Sequence, residues 1–154
     1  MLTLLPYPNF QKTAEVMTAE TLFQQIVEIN NILNVLHQVT DDASSLENDP
    51  GILIWKNDEV QLAALGLILC LELNFRGTPK FLVQMEAQGL EDQLQHHLDC
   101  AATGGFGMTR PKWLGNSELH LSHQSELIRQ DCQYKDLFPG VPDDIQIFWP
   151  RVMD

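Results

Sequence analysis

The sequence predicts an all-α fold in one domain, on three observations. Between Thr18 and Val39 apolar residues recur at Leu22, Ile26, Ile29, Leu33 and Leu36, which is the period of a helix with one buried face. From Glu59 to Phe75 the chain is apolar nearly all round, as in a helix enclosed by others. No segment alternates apolar and polar residues long enough to read as a half-buried strand. At 154 residues the chain is long enough to bury a core without disulfides or a metal.

The elements follow in order. Pro6 and Pro8 hold the first residues extended. Asn9 is placed to cap a short helix through Met17, and Thr18 to cap the longer one that runs to about Val39. The polar, acidic stretch from Thr40 to Pro50 reads as a loop. Asn57-Asp58-Glu59 starts the apolar helix with acids at the positive end of its dipole, and Arg76-Gly77-Thr78-Pro79 ends it. Lys80 to Cys100 reads as a further helix weakened by Gly89, and Thr103 to Gly107 as a flexible loop. Asn116 starts a last helix to about Asp131, and a Pro-rich aromatic tail wraps the remainder.

Charge is the strongest global constraint. Nine Lys and Arg against 21 Asp and Glu give a net charge of -12. Affinity for nucleic acid rests largely on neutralising phosphates, so the chain as a whole repels DNA at long range. The three cysteines, Cys70, Cys100 and Cys132, are odd in number and far apart, which reads as reduced thiols in a cytoplasmic protein. The longest apolar run, Leu62 to Leu71, is too short for a bilayer, and no basic segment precedes an apolar one at the start, so neither membrane nor secretion is expected.

Glu28 is the sharpest candidate for chemistry. It lies one position off the apolar stripe and shares a second row with Ile32 and Val35. A carboxylate at the edge of an apolar face is partly desolvated, the setting that general acid–base work requires. The α-amine of Met1 is a workable nucleophile when desolvated, and bulky Leu2 disfavours removal of Met1. His120 and His123 share a helix face with Leu127, close to Arg129. Arg110, Lys112 and Arg129, if they converge, suit one or two phosphates rather than a duplex. Trp55, Trp113, Trp149, Tyr7 and Tyr134 are candidates for stacking on a base, although tryptophans in such contexts are more often core. His96 and His97 read as the exposed end of a helix. A zinc site drawn from His120, His123, Cys100 and Cys132 lacks the paired ligand spacing of structural sites, so no metal and no cofactor are expected.

Both ends of the chain carry a family resemblance. Leu5-Pro6-Tyr7-Pro8-Asn9-Phe10, Pro111-Lys112-Trp113-Leu114-Gly115, His120-Leu121-Ser122-His123, Phe138-Pro139-Gly140-Val141-Pro142-Asp143-Asp144 and Trp149-Pro150 together resemble a family of small bacterial and phage proteins grouped with the pyrimidine-dimer DNA glycosylases. The resemblance implies a compact helical domain of that type over residues 1–154. It implies cleavage of an N-glycosidic bond in damaged DNA or a nucleotide, with Glu28 as acid/base and the Met1 amine forming a Schiff base with the sugar. His120, His123, Arg129, Arg110, Lys112, Trp55, Trp113 and Tyr7 would then bind the ligand. The chain departs from the family pattern where arginines and lysines are expected, reading Ala19-Glu20-Thr21-Leu22-Phe23-Gln24-Gln25-Ile26, and Asn48-Asp49-Pro50 stands in place of Asn-His-Pro. These departures leave a second reading open. In it the scaffold is a non-catalytic binding protein that holds a nucleotide-like ligand or a basic protein partner, with phage counter-defence as one setting.

Overall fold

The computed structural model describes residues 2–37, 49–77, 81–103 and 110–150. Six α-helices are present among them and no strand, in agreement with the all-α reading. In chain order these are α1 (Phe10–Val16), α2 (Ala19–Leu36), α3 (Pro50–Leu53), α4 (Glu59–Arg76), α5 (Phe81–Thr103) and α6 (Ser117–Gln130), followed by a 3-10 turn, Cys132–Asp136. The expected loops at 40–48 and 104–107, and the stop signal at Thr78 and Pro79, lie outside the described residues.

The caps read from the sequence are in place. Asn9 accepts a hydrogen bond from the Lys12 N–H, Thr18 from Thr21, and Asn116 from Glu118 and Leu119. Each satisfies a donor that the first helical turn leaves without a partner. Helix α3 is an addition to the sequence reading, which ended its loop at Pro50. Asp49 accepts from the Gly51 N–H at 2.8 Å and Pro50 occupies the first turn, where its missing N–H costs nothing. Asp58 makes no side-chain cap, and the chain instead turns through Asn57 at φ 72°. Gly77 ends α4 in the left-handed region, as the Arg76-Gly77 signal requires.

The core is built where α2 and α5 pack against α4. The α2 stripe is buried at Leu22, Ile26, Ile29 and Leu33, with Leu36 packed at its edge. Helix α4 contributes Leu62, Ala63, Leu65, Leu69 and Leu73, and Trp55 and Tyr134 close the core from either end. The reading of α4 as buried all round needs correction on one face. Leu71 is 63% exposed and Phe75 85% exposed, on the side of the helix opposite the buried Leu69 and Leu73. Arg76 there reaches across to the C-terminal end of α1, donating to the carbonyls of Ala14, Glu15 and Met17 while pairing with Glu72.

The α4–α5 crossing depends on Gly66. A Cβ at this position would stand 2.7 and 2.9 Å from the two Leu94 methyl carbons and 3.2 Å from Ile29 Cγ2. Leu94 and Ile29 are both fully buried, so neither methyl group has free space to move into. Helix propensity alone favours alanine over glycine by about 1 kcal/mol, and overpacking costs about 1–3 kcal/mol. Gly66→Ala is therefore expected to destabilise the protein by up to about 2 kcal/mol in urea unfolding. The Leu94→Val change should relieve part of that loss, so that a double-mutant cycle shows favourable coupling between the two positions.

Candidate active-site groove

The N-terminal segment is the first part of the site, and it is held from two sides. On α2, the buried Gln25 accepts from the Leu4 N–H at 2.7 Å and donates to the Leu2 carbonyl at 3.4 Å. On α6, His123 Nδ1 accepts from the Leu5 N–H at 2.9 Å, His120 Nδ1 donates to the Leu5 carbonyl at 2.7 Å, and Gln124 donates to the Pro6 carbonyl at 2.8 Å. Residues 120, 123 and 124 share one helix face, so a single turn of α6 grips three consecutive polar groups of an extended strand of chain. Such a strand has no ladder of its own, and its buried backbone groups need these partners.

These contacts fix the state of both rings. His120 donates through Nδ1 and accepts from the Gly115 N–H at Nε2, at 2.9 Å, which is the neutral imidazole with both nitrogens used. Burial lowers its pKa, and the bond to Leu5 offsets part of that effect. His123 accepts at Nδ1, so its proton sits on Nε2, a buried atom with no hydrogen-bond partner in the protein. Its pKa is pushed down to about 3, first by burial and then by neighbouring His120.

The segment so anchored borders a groove of about 580 Å³, lined by Leu2, Phe23, Gln24, Gln25, Val27, Glu28 and Gln130. Glu28 is half-buried on its wall. Leu2 and Glu28 thus face the same space, one residue from Met1, which itself lies outside the described residues. Among the described residues no Lys or Arg lines this groove.

The other residues singled out from the sequence stand elsewhere. Trp55 is buried, and Trp113 packs edge-on against it at 4.9 Å while donating to the Ile54 carbonyl. Tyr134 is buried and bonds Thr18 and Thr21 at the start of α2. Tyr7 is half-buried, with Lys12 over its ring at 4.3 Å and Phe138 beside it. Trp149 is half-buried against the core. Arg110 donates to the Pro8 carbonyl. Arg129 pairs with Glu126 and donates to Ser125 and to the carbonyls of Asp143 and Ile145. Lys112 is exposed. None of them lines the groove beside Glu28, and both arginines donate to backbone carbonyls of their own chain. His120 uses both ring nitrogens and His123 its Nδ1 on the backbone, and among the described residues no group of three or more His, Cys, Asp or Glu side chains is arranged to hold a metal ion. Of the pair read as an exposed helix end, His96 is exposed but His97 is only 5% exposed.

The sequence reading missed Gln25. Its signal is a polar residue at a position beside Leu22, Ile26 and Ile29, on the face that faces the core. Among the described residues no helix is long and apolar enough to cross a membrane.

The family model described as pyrimidine dimer DNA glycosylase matches residues 1–83, more than half of the chain. The chain belongs to this family. The match takes in α1 to α4 and Glu28 and stops short of the C-terminal motifs that carry the rest of the resemblance. No curated protein and no solved structure matches the chain.

The buried histidines make stability depend on pH. The folded pKa of His123 lies below its unfolded value of 6.5, so the native ring stays neutral while the unfolded chain takes up a proton. Stability is full above about pH 6.5 and is lost as pH falls toward 3, by up to about 1.4 kcal/mol per pH unit for each such ring. His123→Asn keeps an acceptor for the Leu5 N–H and removes the titration. Urea midpoints at pH 7.5 and 5.5 should therefore differ less in this variant than in the unaltered protein, and an equal difference refutes the assignment.

Proposed function

We propose that the groove between the N-terminal segment and α2 is the seat of a glycosylase/lyase-type reaction at an N-glycosidic bond, in damaged DNA or a nucleotide. The observation that carries this reading is that Glu28 and Leu2 border one groove, with the chain from Leu2 to Pro6 held in place by Gln25, His120, His123 and Gln124. The family supports it, and the position of Glu28 gives it an acid/base group. In this scheme the Met1 amine attacks C1′ of the sugar and the glycosidic bond breaks. The base leaves with the electron pair and the bound amine gives up a proton. The nitrogen lone pair then opens the C1′–O4′ bond, O4′ takes a proton, and the resulting iminium is what borohydride reduces. Glu28 delivers and accepts protons at the sugar, and Phe23 offers a ring to a base lifted out of its stack.

A second reading is favoured by the lining itself. Gln24 and Gln130 supply amides, and among the described residues no Lys or Arg lines the groove to meet a phosphate. Such a groove also suits a non-catalytic protein that holds a nucleotide-like ligand through its base. A basic protein partner for the acidic surface belongs to the same class of reading.

Incubation with duplex carrying an abasic site or a thymine dimer, in the presence of borohydride, separates the two. Catalysis predicts an adduct at Met1 and strand cleavage, with Glu28→Gln slower by about 10²–10⁴-fold, the range for loss of a general acid–base group. With one or two phosphates met, log affinity should fall with log salt at a slope no steeper than about -2. Ligand binding without an adduct, at the same affinity in Glu28→Gln, supports the binding protein instead.

A further inference from the structure

A second cavity, of about 770 Å³, lies between the C-terminal end of α2 and the C-terminal half of α5, lined by Asn34, His37, Asp92, His96, His97 and Cys100. Its imidazoles are engaged with their neighbours, His97 with Asn34 and His37, and His96 at 3.6 Å from Cys100 Sγ. The groove beside Glu28 differs, because its amides have bonding capacity left for a ligand. Gln24 and Gln130 each give one N–H to a glutamate one turn back, Glu20 at 3.5 Å and Glu126 at 3.4 Å. Each amide keeps a carbonyl oxygen and a second N–H. A donor and an acceptor side by side match the edge of a nucleobase. Phe23, Val27 and Leu2 add apolar surface for the faces of its ring.

The charges set around these amides are negative. Glu28 is half-buried in the groove wall, and Glu20 stands behind Gln24. Arg129, next to Gln130 in the chain, pairs with Glu126 and donates to Ser125 and to the carbonyls of Asp143 and Ile145. A phosphate monoester carries about -1.5 to -2 charge near pH 7. Brought into the groove it meets the Glu28 carboxylate across a partly desolvated space, where like charges repel more strongly than in water. A nucleoside without phosphate carries no such charge. The carboxylate that repels a phosphate accepts hydrogen bonds from the hydroxyls of a sugar.

Resting on the glycosylase reading of this groove, we propose that its substrate is a free nucleoside, an N-glycoside that carries no phosphate. The base lies against Phe23 with its edge on the Gln24 and Gln130 amides, and the sugar lies toward Glu28. The net reaction is hydrolysis. The C1′–N bond breaks, the base leaves with the electron pair, and one water supplies a hydroxyl to C1′ and a proton to the base. In the Met1 route that water releases the sugar from the amine. A groove of about 580 Å³ is within the size range of small-molecule sites, and the net charge of -12 does not oppose an uncharged substrate.

The test is calorimetric titration of the full chain with thymidine, deoxycytidine, deoxyadenosine and deoxyguanosine, each against its 5′-monophosphate, at low and at physiological salt. Chromatography of the same mixtures follows release of free base. At least one nucleoside should bind with an affinity indifferent to salt and be cleaved. Its monophosphate should bind about tenfold more weakly at low salt and gain affinity as salt screens the repulsion. A site that neutralises phosphate shows the opposite sign. Glu28→Gln should narrow the gap within the pair, and Phe23→Ala should weaken both by about tenfold. A monophosphate that binds as tightly as its nucleoside or loses affinity with added salt overturns the proposal, as does binding of no nucleoside. A Met1 adduct on the duplex substrate without nucleoside binding removes the nucleoside and leaves the glycosylase reading standing. A nucleoside bound but neither cleaved nor trapped removes the glycosylase reading, and the substrate assignment with it.

Discussion

The structure depends on the grip of α6 on the chain that runs along its two sides. On one side His120, His123 and Gln124 hold Leu5 and Pro6. On the other, Ser122 accepts from the Phe148 N–H and Ser125 from the Ile145 N–H, while Arg129 binds the carbonyls of Asp143 and Ile145. Neither strand of chain has a sheet to satisfy its backbone, and both are covered by side chains. A helix that presents histidine, serine and glutamine to them supplies what a β-ladder would otherwise supply. Four of these six side chains, His120, Ser122, His123 and Ser125, are themselves buried, which makes each bond costly to lose. The His120-Leu121-Ser122-His123 stretch thus holds two strands of chain at once.

How much of this was legible depends on the kind of signal. Caps and stripes are local, and Asn9, Thr18, Asn116 and the row from Leu22 to Leu33 fell where the helical period and the orphan donors of a first turn put them. Helix α3 was missed because four residues carry no periodicity, and only Asp49 followed by Pro50 marks its start. The site was half legible. Glu28 could be found because it sits beside the stripe, but the groove around it is made by Leu2 and Gln130, distant in sequence. The arginines were misread for the opposite reason. A sequence shows that a charge exists but not that a carbonyl 100 residues away has already taken it, as Pro8 has taken Arg110.

That disposition of charge bears on how the family's fold is used in this chain. Arg76, Arg110 and Arg129 all donate to backbone carbonyls, closing helix ends and binding loops. A guanidinium spent in this way keeps its charge but has fewer donors free for phosphate. With a net charge of -12 the field around the molecule repels a polyanion, and among the described residues the groove beside Glu28 adds no local cation to reverse it. The stretch Ala19–Ile26, which carries no Lys or Arg, forms the start of α2 and includes three residues of the groove wall, Phe23, Gln24 and Gln25.

Helix α2 contributes a wall to each of the two cavities described. At about 100° per residue, the stripe of Leu22, Ile26, Ile29 and Leu33 occupies one side of the helix. Glu28 falls about 130° to one flank of that stripe, and Asn34 about 110° to the other. The N-terminal segment and Gln130 build the wall opposite Glu28, and α5 builds the wall opposite Asn34 and His37. Along the axis, Glu28 and His37 are nine residues, or about 13–14 Å, apart. A buried stripe that wide leaves two half-buried flanks by geometry alone, and polar side chains at such edges are the ones both desolvated and reachable. The two flanks were filled differently, with glutamines and a glutamate on one and imidazoles and a thiol on the other. Substitutions on one flank therefore leave the other intact, since the packed stripe between them is shared by both and altered by neither.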